Sequence, residues 1–190
     1  MATPTPSDLC KHTLKTDRLT LHIYDTSQAD QSAHLVKCFN DPVTLVEMGD
    51  YNVSSNEVII SLSKACNLRP NAIHSISSTE GFVYIIHLDD PATGASPMIG
   101  MISLMQRGAD VATDIGWITL NQYSGKGYTT EAAKEALRHW RQDVGVEGIT
   151  CSVVETNKAS QRIAEKIGMK RGDIFVNPRT GRNSVRYALL

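Results

Sequence analysis

Hydrophobic residues recur along this chain with two periods, and each stretch of one period predicts a strand or a helix. RLTLHIY at Arg18–Tyr24 alternates apolar and polar positions, which predicts a first strand. Residues 25–39 predict a helix that closes at Asn40-Asp41-Pro42, because proline disfavours helical backbone at the residue before it. A second helix is expected to run to about residue 67 from SSNE, where Ser54 and Glu57 fit a capping box.

The centre of the chain predicts an antiparallel meander of three strands. GFVYIIHL at Gly81–Leu88 and MIGMISLM at Met98–Met105 flank the turn-rich loop DDPATGASP, which is typical of a hairpin. A short break, QRGAD, separates the second of these strands from VATDIGWITL at Val111–Leu120. Sequential strands joined by short loops are expected to lie side by side.

The last third predicts helices alternating with strands. Residues 128–144 form a helical stripe, with ITCSVV at Ile149–Val154 following as a strand buried on both faces. Thr156 or Asn157 is expected to cap a further helix that ends before Gly168. A hairpin then closes the chain, with NPRTGRN as its loop. The apolar members of the stripe are Tyr128, Ala132, Ala133, Ala136, Leu137, Trp140 and Val144.

The resulting order of elements, βααβββαβαββ, predicts an α+β fold. The chain has 190 residues, which favours one domain with a sizeable core. Residues 1–12 are rich in proline and threonine and are expected to form a flexible tail, leaving 13–190 as the domain.

Composition excludes several classes of partner. The net charge is -1, which argues against nucleic acid and anionic membranes as partners. The four cysteines are scattered without CxxC spacing, so we expect neither a metal nor a disulfide framework. The N-terminus lacks an apolar signal region and no stretch approaches the roughly 18 apolar residues of a spanning helix, which predicts a cytoplasmic protein.

The stretch QYSGKGYTTEA at Gln122–Ala132 carries the most specific chemistry. It joins a predicted strand to a predicted helix, whose first turn offers unpaired N–H groups and a partial positive charge. Gly125 and Gly127 allow the backbone to approach an anion closely, so a diphosphate site is one interpretation and a simple turn is the other. The spacing excludes a Walker loop. A dinucleotide fingerprint stays open but lacks its third glycine, which is Thr130 here.

This motif resembles the acetyl-CoA signature of the GNAT N-acetyltransferases, [QR]-x-x-G-x-[GA], which Gln122, Gly125 and Gly127 match. The segments DIGWITLNQYSGKGYTTEAAKEAL and NKASQRIAEKIGM resemble the ribosomal-protein-alanine N-acetyltransferase branch, as do LKTDRLTL and VRYALL at either end. The resemblance covers residues 14–190 in order. It implies a GNAT fold, with a mixed, mostly antiparallel seven-stranded sheet, about four flanking helices and splayed central strands. It also implies transfer of an acetyl group from acetyl-CoA to a primary amine, on a protein N-terminus or a small molecule.

The resemblance implies where the CoA thioester would bind. Pantetheine is expected along the backbone of Trp117–Leu120, with Ile118 and Leu120 favoured, and the diphosphate on the N–H groups of the glycine loop. Arg162 is either a contact of the adenosine 3′-phosphate or a solvated surface residue, and Lys126 is either an added charge or solvated. The implied donor residues are Ile118, Thr119, Leu120, Gln122, Ser124, Gly125, Lys126, Gly127, Tyr128, Thr129, Thr130, Asn157, Ser160 and Arg162.

The implied catalytic residues depart from the family pattern at one position. Many GNAT enzymes carry a tyrosine as general acid where this chain has Ala164, so Ser160 is the replacement candidate. Asp114 is the candidate base, where the family often has glutamate, and a sheet-end carboxylate is its other reading. Glu131 is expected to be structural or on the substrate side. The acceptor is expected near Met48, Tyr51, Trp117 and Tyr123.

Three readings of function follow. The first is an N-acetyltransferase acting by direct amine attack, as a monomer or a homodimer. The second is a non-catalytic acyl-CoA-binding module, motivated by Ala164. The third is a nicotinamide-dinucleotide enzyme.

Overall fold

The computed structural model describes residues 12–65, 83–105 and 112–189. Within these ranges the chain forms an eight-stranded sheet and five α-helices, which confirms the α+β class. The strands are β1 (Thr13–Lys15), β2 (Leu19–Ile23), β3 (Val83–Leu88), β4 (Met98–Met105), β5 (Asp114–Thr119), β6 (Thr150–Val154), β7 (Lys170–Val176) and β8 (Asn183–Ala188). The helices are α1 (Ala29–Phe39), α2 (Pro42–Met48), α3 (Asn56–Ala65), α4 (Tyr128–Arg138) and α5 (Lys158–Lys166).

The strands lie in the order β1-β2-β3-β4-β5-β6-β8-β7. Neighbours are antiparallel except β5 and β6, which are parallel. This arrangement confirms the predicted meander of β3, β4 and β5. The sheet has one strand more than the predicted seven, because Thr13–Lys15 turns back to pair with β2.

Helix α2 is the one described helix that the sequence pattern does not predict, because Asn40-Asp41-Pro42 indicates the end of a helix and gives no sign that another begins there. The preceding helix does end at Phe39. Pro42, however, also begins a new helix at a position where its missing N–H does no harm, and Asp41 caps that helix by accepting a hydrogen bond from Val43 N.

Two predicted helix starts are corrected. The first helix begins at Ala29 rather than residue 25, because the Asp25 side chain accepts a hydrogen bond from Ser27 N and holds a turn there. At the start of α3 the side chain that accepts a backbone N–H, from Val58, is that of Ser55 rather than Ser54.

Two hydrophobic clusters cover the two faces of the sheet. Helices α4 and α5 pack on one face with a fully buried Trp140. Helices α1 and α3 pack on the other face, against side chains such as Ile118 of β5. Gly100 lets β4 approach β5 closely, because a Cβ there would lie 2.3 Å from the Ile118 carbonyl oxygen. The central strands are therefore buried on both sides.

Some predictions fall on residues outside the described ranges. They are the tail up to residue 11, the end of the second helix, the connection at residues 74–81, the first two residues of the strand predicted at Gly81–Leu88, the QRGAD break and the first residue of the strand predicted at Val111–Leu120. Among the residues that the structure describes, no helix has the length and apolar character to cross a bilayer.

Candidate functional site

Strands β5 and β6 meet at one register position and then separate. Asp114 is paired with Thr150, and Thr150 N donates a hydrogen bond to Thr113 O at 2.8 Å. Beyond that point β5 continues along β4 to Thr119, whereas β6 pairs with β8 as far as Val154. The strands thus leave a gap, as the splayed arrangement implied by the resemblance requires.

The backbone groups that face this gap follow from the pairing of β5 with β4. Leu120 N donates to Ile99 O at 2.9 Å, and Ile118 is paired with Met101 two residues earlier. Because N–H and C=O groups of successive strand residues point to opposite edges, the backbone of Trp117 and Thr119 points into the gap. Within the expected stretch Trp117–Leu120, the backbone groups that face the gap are therefore those of Trp117 and Thr119, whereas those of Ile118 and Leu120 face β4.

Side chains of β5 alternate between the two faces of the sheet. Trp117 Nε1 donates to Ser160 Oγ of α5 at 3.3 Å, and Thr119 Oγ1 lies 2.7 Å from Thr129 Oγ1 of α4. Asp114 is an even number of residues from Ile118 and so shares its face, opposite to Trp117. The Asp114 carboxylate and the Ser160 hydroxyl thus lie on opposite faces of the sheet.

A groove of about 850 Å³ runs through the gap and gathers residues predicted from separate parts of the sequence. On the α5 side, Asn157 accepts a hydrogen bond from Ser160 N at 2.9 Å, so its predicted capping role is confirmed. Trp117 orients the Ser160 hydroxyl from β5. The predicted residues that line this groove are Met48, Tyr51, Asp114, Trp117, Asn157 and Ser160.

The glycine loop opens at the end of β5. A 3-10 turn at Asn121–Tyr123 leads into it, and Gly125 and Gly127 have φ angles of 77° and 82°. Gly127 is the N-cap of α4 and supplies no side-chain cap, so the first N–H groups of the helix have no partner within it. A Cβ at Gly125 would meet no atom within 4 Å. The loop therefore presents unpaired donors at an open surface, as an anion site needs.

The β1–β2 turn holds this loop through Glu131 in the first turn of α4. Thr16 Oγ1 donates to Glu131 Oε1 at 2.5 Å, and Arg18 Nε donates to Glu131 Oε2 at 2.8 Å. Arg18 Nη1 also donates to Lys126 O, and its guanidinium lies 4.6 Å from the centre of the Tyr128 ring. Glu131 is thus an anchor for the loop backbone, consistent with the structural role expected for it.

The remaining predicted donor and acceptor residues are not among those that line the groove. Lys126 Nζ lies 5.9 Å from the centre of the Tyr123 ring. Gln122, Ser124 and Arg162 are exposed, Arg162 on α5. The half-buried residues Thr129 and Thr130 lie in the first turn of α4. The structure therefore separates an open loop surface from a deeper groove.

Helix α2 connects the loop to the far end of the groove. Asp41 Oδ2 accepts a hydrogen bond from Asn121 N at 3.1 Å, at the N-terminal end of the helix. At its C-terminal end, Arg179 Nη2 donates to Met48 O at 2.5 Å and Arg182 Nη1 donates to Val46 O at 2.7 Å. The two arginines belong to the β7–β8 loop, which sequence reasoning treated only as a hairpin turn. The sequence signals for these contacts are the Asp41-Pro42 pair, which can start a helix, and the two arginines of NPRTGRN, which can bind carbonyl oxygens at its end.

Comparison with known proteins identifies the family. The model of the acetyltransferase (GNAT) domain matches residues 18–170. The chain belongs to the GNAT family. An uncharacterized N-acetyltransferase, YnaD of Bacillus subtilis, is 31% identical over 78 residues, which are 41% of this chain and 46% of YnaD. The match thus spans less than half of that relative.

Solved structures share the GNAT fold along nearly the whole chain. An acetyltransferase of Agrobacterium tumefaciens superposes with a TM-score of 0.67 at 24% identity. The match covers 94% of this chain and 94% of the Agrobacterium chain. RimL, a ribosomal L7/L12 alpha-N-protein acetyltransferase solved in complex with coenzyme A, has a TM-score of 0.71 at 16% identity and covers 94% of this chain and 97% of its own. At these identities the likeness concerns the fold.

Ala164 stands where the resemblance implies a general-acid tyrosine in many members. That residue is fully buried in the cluster beneath α4 and α5, and the hydroxyl of α5 that lines the groove is that of Ser160. Within the described part of the chain, no group of three His, Cys, Asp or Glu residues is arranged to hold a metal ion.

Replacing Glu131 tests whether its carboxylate anchors the GNAT loop. Burial raises the pKa of the Glu131 carboxyl, but the hydrogen bonds from Thr16 and Arg18 outweigh burial and hold that pKa below its ordinary 4.5. The charge therefore stabilises the fold above pH 4.5, and that stabilisation is lost as the pH falls through the lower folded-state pKa. We expect Glu131→Gln to lower the free energy of unfolding by about 1 kcal/mol at pH 7, with a smaller difference from the wild type below pH 4.5.

Urea unfolding of both proteins at several pH values measures this difference. Glu147→Gln is the matched control, because Glu147 is exposed and lies outside the loop network. A pH-independent difference for Glu131→Gln would contradict the anchoring role of its charge.

Proposed function

We propose that this chain transfers an acetyl group from acetyl-CoA to a primary amine. The observation that carries the proposal is the gap between β5 and β6, bordered by an open helix-start loop at one end and by Asp114 at the other. An extended thioester can pair with backbone in such a gap while its diphosphate meets the loop N–H groups. The acceptor is a protein N-terminus, as for RimL, or a small amine. A chimera of the spermidine N-acetyltransferase SpeG from Vibrio cholerae and hSSAT is a further neighbour in fold, with a TM-score of 0.65 at 15% identity.

The residues present fit the donor. The backbone of Trp117 and Thr119 would hold the pantetheine arm, and Gly125 with the first turn of α4 would hold the diphosphate. Lys126 and Arg162 are exposed cations within the proposed donor region, available for phosphate contacts. Acetyl-CoA supplies a thioester carbonyl, at which an amine forms the C–N bond while the C–S bond breaks.

The two proton transfers are assigned to residues on the two faces of the sheet. Asp114 lies on the face of α1 and α3 and would take a proton from the attacking amine, directly or through water. Ser160 lies on the opposite face and would give a proton to the departing thiolate, its oxygen meanwhile accepting from Trp117 Nε1. A thiol has a pKa of about 8.5, so the thiolate is a tolerable leaving group and the acid is the lesser contribution.

Two alternative functions, the cellular location and the oligomeric state are predictions that separate measurements check. A non-catalytic acyl-CoA-binding module would bind CoA without turnover, and a dinucleotide enzyme would bind NADH instead. The cytoplasmic location is to be checked by cell fractionation. The choice between monomer and homodimer is to be checked by light scattering.

Calorimetry with CoA and with NADH tests the donor site. We expect CoA to bind and Gly125→Ala to weaken it about tenfold, because the added methyl group occupies the open face where the diphosphate is expected. Gly145→Ala is the matched control, since Gly145 also has a positive φ, of 84°, and no atom within 4 Å of an added Cβ. Absence of CoA binding by the wild-type protein at high micromolar concentration would reject the proposal.

Thiol release with an amine panel tests the proton transfers. Asp114→Asn is expected to lower kcat/KM about 100-fold. The loss should be greater for an amine of pKa near 10.4 than for an α-amine near 8, which is already about one-tenth neutral at pH 7. Ser160→Ala should lose less than Asp114→Asn. Equal kcat/KM for wild type and Asp114→Asn with both amines would remove Asp114 from the mechanism.

A further inference from the structure

The charged side chains that line the groove differ in exposure. Among the described residues they are Glu47, Asp114, Arg179 and Arg186. Both arginines are exposed, whereas both carboxylates are half-buried and Glu47 Oε2 is enclosed by protein. The charge that the groove wall presents to a ligand is therefore mainly positive, which favours an anionic group on that ligand.

The position of Arg179 is explained by the fold. Its Nη2 donates to Met48 O at the C-terminal end of α2, where the helix dipole favours a cation. Its guanidinium also lies 3.8 Å from the centre of the Tyr51 ring. Arg179 thus adds positive charge to the groove while holding α2 in place.

Arg186 of β8 has no comparable structural role. Its guanidinium lies 4.8 Å from the centre of the Phe175 ring, and within the described ranges it forms no hydrogen bond and no ion pair. A guanidinium carries five N–H donors and accepts nothing. Stacking on an aromatic ring leaves the planar edge of a guanidinium available to a carboxylate. Arg186 is therefore a positioned cation whose donors are available to a ligand in the groove.

The Arg186 side chain lies on the same face of the sheet as the proposed base. Its neighbour Val185 packs in the cluster beneath α4 and α5, so Arg186 points to the opposite face. Asp114 shares that face with Ile118, on the side of α1 and α3. The guanidinium is thus on the side of the gap from which an acceptor would approach Asp114.

The strand register gives the separation of the two residues. Asp114 is paired with Thr150 of β6, and Arg186 is paired with Ser152, two residues further along the same strand. With strands about 4.8 Å apart and a rise of about 3.3 Å per residue, the two Cα atoms are separated by about 12 Å. An acceptor whose amine lies at Asp114 can therefore reach Arg186 with a group several bonds away from that amine.

We propose that Arg186 binds a carboxylate of the acceptor, several bonds from the amine that reacts, with the charge of Arg179 adding to the attraction. The proposal rests on the acetyl transfer proposed above and specifies its acceptor as an amine that also carries a carboxylate. A guanidinium binds a carboxylate through two parallel N–H···O hydrogen bonds, which adds geometric specificity to the attraction of opposite charges. A small amino acid and a peptide N-terminus followed by an acidic side chain both have this chemistry.

Calorimetry with matched amines, with and without saturating CoA, tests the proposal without requiring turnover. One arm compares 4-aminobutanoate with 4-aminobutanamide, and the other compares a tetrapeptide carrying aspartate at its second position with its asparagine counterpart. The wild-type protein is expected to bind the carboxylate at least about tenfold more tightly than the amide in one of the arms. Arg186→Gln should remove that preference while leaving the affinity for the amide partner and for CoA unchanged. Arg141→Gln is the matched control, because Arg141 is exposed and does not line the groove.

The outcomes separate this inference from the acetyl transfer on which it rests. Loss of the preference in Arg186→Gln, with Arg141→Gln behaving as the wild type, supports the inference, and the arm that responds identifies the source of the carboxylate. No preference by the wild-type protein in either arm overturns it without any variant. A preference that survives in Arg186→Gln also overturns it, because another group would then bind the carboxylate. Thiol release with equal kcat/KM for carboxylate and amide partners in both arms would overturn this inference and leave the acetyl transfer standing.

Discussion

The site depends on one backbone hydrogen bond after which two parallel strands separate. Thr150 N bonds to Thr113 O, and beyond that contact β5 follows β4 while β6 follows β8. Each strand is held by an antiparallel partner on its other side, so the gap does not depend on a ligand for its existence. Because the sheet stays intact on both sides of the gap, backbone donors and acceptors are available at its centre. In a sheet without such a gap, the central backbone groups are already paired with one another.

Tertiary contacts then determine what the two ends of the gap can do. Glu131 ties the glycine loop to the β1–β2 turn, which keeps the first turn of α4 open to an anion. At the other end, Asp41 and the arginines of the β7–β8 loop hold α2 across the acceptor side. The proposed donor loop and the proposed acceptor wall are thus linked through one short helix, so a shift of α2 would affect both.

Sequence reasoning succeeded where the signal is local. The glycine loop, the Asn157 cap and the meander each depend on residues a few positions apart, and all of them are present. It was less successful where structure depends on distant contacts. The Arg179 bond to Met48 joins residues 131 positions apart, and no local pattern indicates that Glu47 lines a groove. The direction of the β5 backbone depends on its register with β4, so the sequence could not show that, within Trp117–Leu120, the groups of Trp117 and Thr119 face the gap and those of Ile118 and Leu120 face β4.

The central claim is that the gap between β5 and β6 receives an extended thioester along the backbone of β5. Amide hydrogen exchange followed by NMR, with and without CoA, tests it most directly. The N–H groups of Trp117 and Thr119 point into the gap, so their exchange should slow when CoA binds, whereas those of Ile118 and Leu120 face β4 and should exchange slowly in both states. Binding of CoA that leaves exchange at Trp117 and Thr119 unchanged would contradict the account.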